Sequence, residues 1–226
     1  MGASTADEGG RGRQRSHRPE VTATRIRILR AAERLYAERG FDGASLREIA
    51  VAASQGNNNA VQYHFGSRDR LIEAIFRERV AEMETEREAM LAAAERDGKL
   101  DDLPTLLSIL SLPHLSLCDA KGHHPHAGFL LHYLIRHTPD GTSRGISNAF
   151  LGAPAMVRLL ELIQAKLDNL PVDIAQTRIM LSALMFLNLL VRHDAANPAG
   201  GDAEALARHA TDTVAAMAAA LGGPAL

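Results

Sequence analysis

Asn57, Asn58, Asn59 and Gln62 put four side-chain amides within six residues, and an amide can make a paired hydrogen bond with the groove edge of adenine. Tyr63, His64 and Arg68 follow directly; a phenol, an imidazole and a guanidinium all hold phosphate oxygens. Just upstream, Ser45 and Arg47 open a segment whose first backbone amides and helix dipole attract a further phosphate. The chemistry on offer is recognition of double-stranded DNA, and these nine residues are its candidate contacts. No Ser-His-acid set, phosphate-cradling glycine loop or paired-carboxylate spacing stands out, so neither an enzyme nor a cofactor is expected.

Recognition of this kind needs a rigid frame. Over residues 22–39 the apolar positions Ile28, Leu29, Ala32, Leu35 and Tyr36 recur at spacings of three and four, which predicts an amphipathic helix ended by Gly40. Ser45-Leu46-Arg47-Glu48 fits a capping box, and Leu46, Ile49, Ala50 and Ala53 supply the buried face of a short second helix. Ser54-Gln55-Gly56 reads as a turn and Asn57 as the cap of a third helix reaching about His64, with Ala60 and Val61 as its obvious apolar residues. Two short helices around a tight turn, the second one polar, form a helix-turn-helix able to enter a major groove. Ser67 then caps a long fourth helix that runs to about Arg96.

Charge sorts the chain the same way. Its formal net charge is only −2, yet residues 1–80 hold 14 Arg against 10 acidic groups, a balance of +4, and the remainder is −6. A polyanion therefore meets the N-terminal part. Further helices are predicted at 103–118, 127–138, 149–169, 174–195 and 202–221, giving an all-α chain of about nine helices. Residues 1–20 show no apolar periodicity and read as a disordered, Arg-rich arm. A single cysteine, Cys118, excludes an internal disulfide and reads as a small, half-buried apolar residue. The most apolar stretch, residues 179–191, is interrupted by Asn188 and is short for a membrane span, so a soluble, cytoplasmic protein is expected, with no membrane partner.

Gly40-Phe41-Asp42-Gly43-Ala44-Ser45-Leu46-Arg47-Glu48-Ile49-Ala50, followed by Ala60-Val61-Gln62-Tyr63-His64-Phe65-Gly66-Ser67-Arg68-Asp69-Arg70-Leu71, resembles the N-terminal domain of TetR-family repressors. The resemblance covers about residues 22–80. It implies that Arg47, Asn58, Gln62, Tyr63, His64 and Arg68 lie at the DNA surface. It also implies a C-terminal domain that binds an effector and forms a homodimer. The sequence departs from the family pattern at Gln55-Gly56, where glycine then an apolar residue is usual. It departs again at Gln62, where an aromatic residue is common, and this turns that contact from phosphate toward bases. The expected organisation is the arm, a DNA-binding domain over 21–66 (through 80 with the start of the connecting helix), and a helical ligand-binding and dimerisation domain over 67–226.

Within that second domain, Ile179, Leu184, Leu187, Leu190 and Val191, with Leu206, Ala210, Val214, Met217 and Leu221, supply faces suited to a four-helix dimer interface. A small-molecule effector cavity is expected among Leu106, Leu110, Phe129, Tyr133, Met156 and Leu160. His132 and Arg136, one helical turn apart, are placed to receive a carboxylate or other acidic effector there. His114, His123, His124, His126, His132 and His137 fall within 24 residues, together with Cys118, and leave an alternative open: a metal-dependent enzyme or metal sensor. Their spacings match no compact ligand motif, so no metal ligand is assigned.

Overall fold

The computed structural model describes residues 13–55, 59–137, 150 and 152–223. Among these the chain is all-α. Helix α1 (Arg13–Arg39), α2 (Leu46–Ala52) and α3 (Ala60–Phe65) form an N-terminal module that packs on the start of α4 (Arg68–Arg96). The body continues with α5 (Leu103–Ser111), a 3-10 turn (Leu112–Ser116), α6 (Pro125–His137), α7 (Pro154–Ala165), α8 (Val172–Ala196) and α9 (Ala203–Leu221).

Local chemistry explains most of these boundaries. Ser45 accepts from the Glu48 amide at 3.2 Å while Glu48 Oε2 accepts from the Ser45 amide at 2.9 Å, so the capping box fixes the start of α2. Ser67 caps α4 by accepting from Arg70 N at 3.2 Å, and Asp102 caps α5 through Thr105 N at 3.0 Å. Helix α5 stops where Pro113 can supply no amide, and the chain tightens into the 3-10 turn instead of running on to 118.

Two boundaries differ from the sequence expectation. Helix α1 begins at Arg13, so part of the expected arm is helical; that stretch lacks an apolar stripe, and its backbone hydrogen bonds leave no mark in the sequence. Residues 1–12 lie outside the described residues. Helix α3 begins at Ala60 with Asn59 at the N-cap position, not Asn57, because asparagine side chains compete for backbone groups and favour turns over helix interiors. Asn57 and Asn58, both candidate DNA contacts, lie outside the described residues, as does Gly56.

The body holds the module by an extended seam between α1 and α6. An added Cβ on Gly128 of α6 would stand 3.0 Å from the Ala37 side chain of α1, so the two helices touch backbone to backbone there. Phe41, in the turn after α1, meets Tyr36 and Phe129 edge-on at centroid distances of 5.3 and 5.7 Å. Helix α8 packs on α6 and α9, and α9 also covers α5. Leu187, Leu190, Leu206, Ala210, Val214, Met217 and Leu221 are consequently buried within the chain. The apolar stripes expected at a dimer interface are largely internal core, since a stripe at helical spacing does not reveal which apolar partner covers it.

Helix α8 is nonetheless long and apolar enough to cross a membrane by length and composition, unlike the shorter stretch read from the sequence. Its apolar surplus is outward: Val172, Ile174, Leu181 and Met185 are exposed. Leu181, Leu184, Met185, Asn188, Leu189 and Arg192 border a shallow groove whose other wall is Asp212, Thr213 and Ala216 of α9.

Candidate nucleic-acid interface

Helix α3 buries one face and exposes the other. Ala60, Val61 and Phe65 enter the core, while Asn59, Gln62 and Tyr63, spaced three and four apart on a single face, are exposed. Tyr63 is 79% exposed, with only its neighbour His64 against the ring edge at 5.2 Å.

The helix is anchored from behind. Arg25 of α1 stacks its guanidinium over Phe65, 4.4 Å from the ring centroid, and donates to the His64 carbonyl at 3.3 Å. Burial, reinforced by the Arg25 charge, lowers the pKa of His64 and favours its neutral form.

Before α3 the chain turns through a Schellman motif: Gln55 N donates to Ala50 O and Ser54 N to Val51 O, each at 2.9 Å. Ser54 occupies the left-handed position at φ 56°, where glycine is the usual residue. The displaced glycine noted in the sequence thus falls after the residue that needs its freedom.

Ser45 and Arg47 are exposed at the start of α2. Arg68 is less free than its candidate role implies, for it donates to the Ala44 carbonyl at 3.4 Å and lies 3.5 Å from Asp42. These bonds join the N-terminal ends of α2 and α4, so Arg68 holds the frame as well as facing outward. Arg136 of α6 reaches the same Asp42 at 2.7 Å.

A buried cluster links the module to the body. Glu33 of α1, fully buried, accepts from Arg79 Nε at 2.8 Å and also from Arg79 Nη2, and His126 Nδ1 lies 3.0 Å from Oε1, the oxygen that takes Arg79 Nε. Burial alone would raise the Glu33 pKa, but the hydrogen bonds from Arg79 and His126 and the charge of Arg79 hold it down at about 2. An ionised Glu33 accepts only, so His126 is the donor. Burial keeps His126 neutral despite that carboxylate, aided by the positive charges of Arg79 and Arg30. Arg79 also donates to Glu82 at 2.7 Å, and Arg30 pairs with Glu82. The sequence signal for this cluster was a charged residue inside an apolar stripe: Glu33 lies between Leu29, Ala32 and Tyr36, and Arg79 between Phe76 and Val80.

The histidines do not assemble into one centre. His114 and His126 stack at 5.7 Å, His123 meets the Asn197 carbonyl at 3.1 Å, and His124 meets Asp194 at 3.0 Å. His132 is exposed beside Phe41, and the His137 side chain lies outside the described residues. Among the described residues no three His, Cys, Asp or Glu side chains are grouped to hold a metal ion. Cys118 is exposed, where the sequence suggested partial burial.

Of the expected cavity residues, Leu110 and Met156 line a cavity of about 100 Å³ in the body. Leu106, Phe129 and Tyr133 are buried in packed core and Leu160 is partly buried against it. His132 and Arg136 point to the exposed seam with the module, Arg136 being bound to Asp42.

Residues 28–75 match the model of the tetR family of bacterial regulatory proteins. Two curated relatives are the HTH-type transcriptional repressors AcnR. That of Corynebacterium efficiens is 38% identical over 80 residues, 35% of this chain and 42% of the relative, and that of Corynebacterium glutamicum is 37% identical over 62 residues, 27% of this chain and 32% of the relative. The chain thus spans less than half the length of either relative. A solved structure of a protein assigned to the tetR family of transcription regulators, from Shewanella sp. PV-4, superposes with a TM-score of 0.59 at 20% identity, covering 86% of this chain and 95% of the other. A linker-substituted HlyIIR mutant gives 0.52 at 19% identity over 90% and 99% of the two chains. These two share the fold over most of the chain. The N-terminal module of this chain is therefore similar to the tetR family of bacterial regulatory proteins.

Proposed function

We propose that this chain is a cytoplasmic DNA-binding transcriptional regulator, a ligand-responsive repressor that grips a palindromic operator as a homodimer. The observation that carries the reading is α3, whose Asn59, Gln62 and Tyr63 stand outward on one face while its opposite face is anchored by Phe65 and Arg25. Gln62 reads a base edge, Tyr63 holds phosphate, and Arg47 adds charge beside them. Asn57 and Asn58 complete the polar run in the sequence. The repressor names of the AcnR relatives, which match over the module, support the same direction of control.

The homodimer forms across α8 and α9, through the exposed groove around Leu181, Leu184 and Met185 and not through the internal stripe. Two copies related by a twofold axis present two α3 helices to two half-sites. An effector in the body acts on the module through the α1–α6 seam, where Glu33–His126 and Asp42–Arg136 are the polar ties. Ligand and DNA then oppose each other by linkage.

Substitution on the outward face tests this. Gln62→Ala and Tyr63→Ala each weaken binding to the operator by about 1–3 kcal/mol, roughly five- to 150-fold, with melting temperature unchanged because both side chains are exposed. Fluorescence anisotropy on a labelled duplex measures it, and unchanged affinity in both variants refutes the assignment of α3 as the reading helix.

A further inference from the structure

Arg87 occupies a position where an apolar residue belongs. It continues the Val80–Met83 stripe of α4 toward Leu91, and 1% of its surface is exposed. Its Nε and Nη1 are buried without a hydrogen-bond partner, and Nη2 has only Met83 Sδ, a weak acceptor, at 3.4 Å. Burial lowers its pKa to about 10 against the opposing charges of Glu84 and Glu86, which leaves it cationic at neutral pH. A cation in that setting is costly unless something pairs with it.

Arg87 lines the body cavity, which lies between α4, α5, α6, α7 and α8. Apart from Arg87, Ser111, His114 and His126, the described residues of the wall are apolar. His114 offers a second unpaired group in the same wall: its Nδ1 is buried and has no partner. Burial, with the charge of Arg87 adding to it, holds His114 neutral, so it can donate one N–H.

We propose, resting on the ligand-responsive reading above, that this cavity is the effector site for a small monocarboxylate, its carboxylate taken by Arg87 and His114 and its apolar tail by Leu110, Phe76 and Phe186. One cation and one neutral donor match a single carboxylate; a second anionic group would face apolar wall. At roughly 10–15 Å³ per water-sized site, the cavity admits about seven to ten non-hydrogen atoms, the size of a five- to eight-carbon acid. His114 stacks on His126, 5.7 Å away and within 10° of parallel, and His126 in turn holds Glu33 of α1. The bound carboxylate is thus one ring removed from the tie between body and module.

Isothermal titration of the full chain with hexanoate, phenylacetate and the neutral hexanamide tests the site. One of the acids should bind, and hexanamide more weakly by about thirtyfold or more. Arg87→Met should abolish the difference between acid and amide while raising the melting temperature of the free protein, since an apolar side chain replaces an unpaired buried charge. His114→Phe, which keeps the ring stack, should weaken only the acid. The proposal is overturned if neither acid binds, if the amide binds as well as the acid, if inorganic phosphate or chloride binds as tightly as hexanoate, or if Arg87→Met lowers stability. A chain that binds operator DNA but no carboxylate refutes this site alone; one that binds hexanoate but no DNA refutes the regulator reading and leaves the site standing.

Discussion

Ser54 shows how much one residue can say about a turn. It takes the left-handed conformation that closes α2, at a cost of about 1 kcal/mol for a residue with a Cβ. Ser54→Gly removes that strain and, after the extra entropy of glycine in the unfolded chain, should raise stability by about 0.5 kcal/mol; a lower midpoint in urea denaturation contradicts the turn described here. The sequence showed the turn and the unusual glycine placement, but which residue takes positive φ depends on hydrogen bonds to Ala50 and Val51 that only the fold supplies. Glu33, Arg79 and Arg87 were hidden for a related reason. A charged residue on an apolar stripe reads as an interruption, and its partners lie 46 and 93 residues away for the Glu33 pairs with Arg79 and His126. The outward placement of Gln62 and Tyr63, by contrast, was legible because it follows from the local spacing of Ala60, Val61 and Phe65.

Helix types and order were also legible, from caps and periodicity, whereas the assignment of faces was not. The stripe of α8 and α9 is the clearest case: Leu187 and Met217 have the spacing of an interface but pack inside one chain, and Leu181 and Met185 remain outside. His132 and Arg136 have the spacing of a ligand clamp, yet α6 turns them toward the module because its other face, with His126 and Leu130, lines the cavity. The same helix carries Gly128, whose missing side chain lets α1 and α6 approach. Gly128→Val would drive methyl groups into Ala37 and should cost about 1–3 kcal/mol by overpacking. Differential scanning calorimetry reads this directly, and an unchanged transition temperature means the seam is looser than described.

For the whole molecule, the near-zero net charge conceals a division of labour. The basic N-terminal part carries the exposed face of α3, and the acidic body carries the cavity and the outward apolar groove, so the proposed DNA face and the proposed effector cavity lie in separate parts joined at α1–α6. The central claim is that this arrangement recognises a specific DNA sequence. Its most direct test is the affinity of the purified full chain for the duplex upstream of its own coding region and for a scrambled duplex of equal length, each titrated from 50 to 200 mM salt. The upstream duplex should bind about a thousandfold or more tighter. Both affinities should fall steeply with salt, by about 10³ or more across that range for a dimer touching six or more phosphates. Equal affinity for the two duplexes at every salt concentration, or affinity indifferent to salt, would contradict the account.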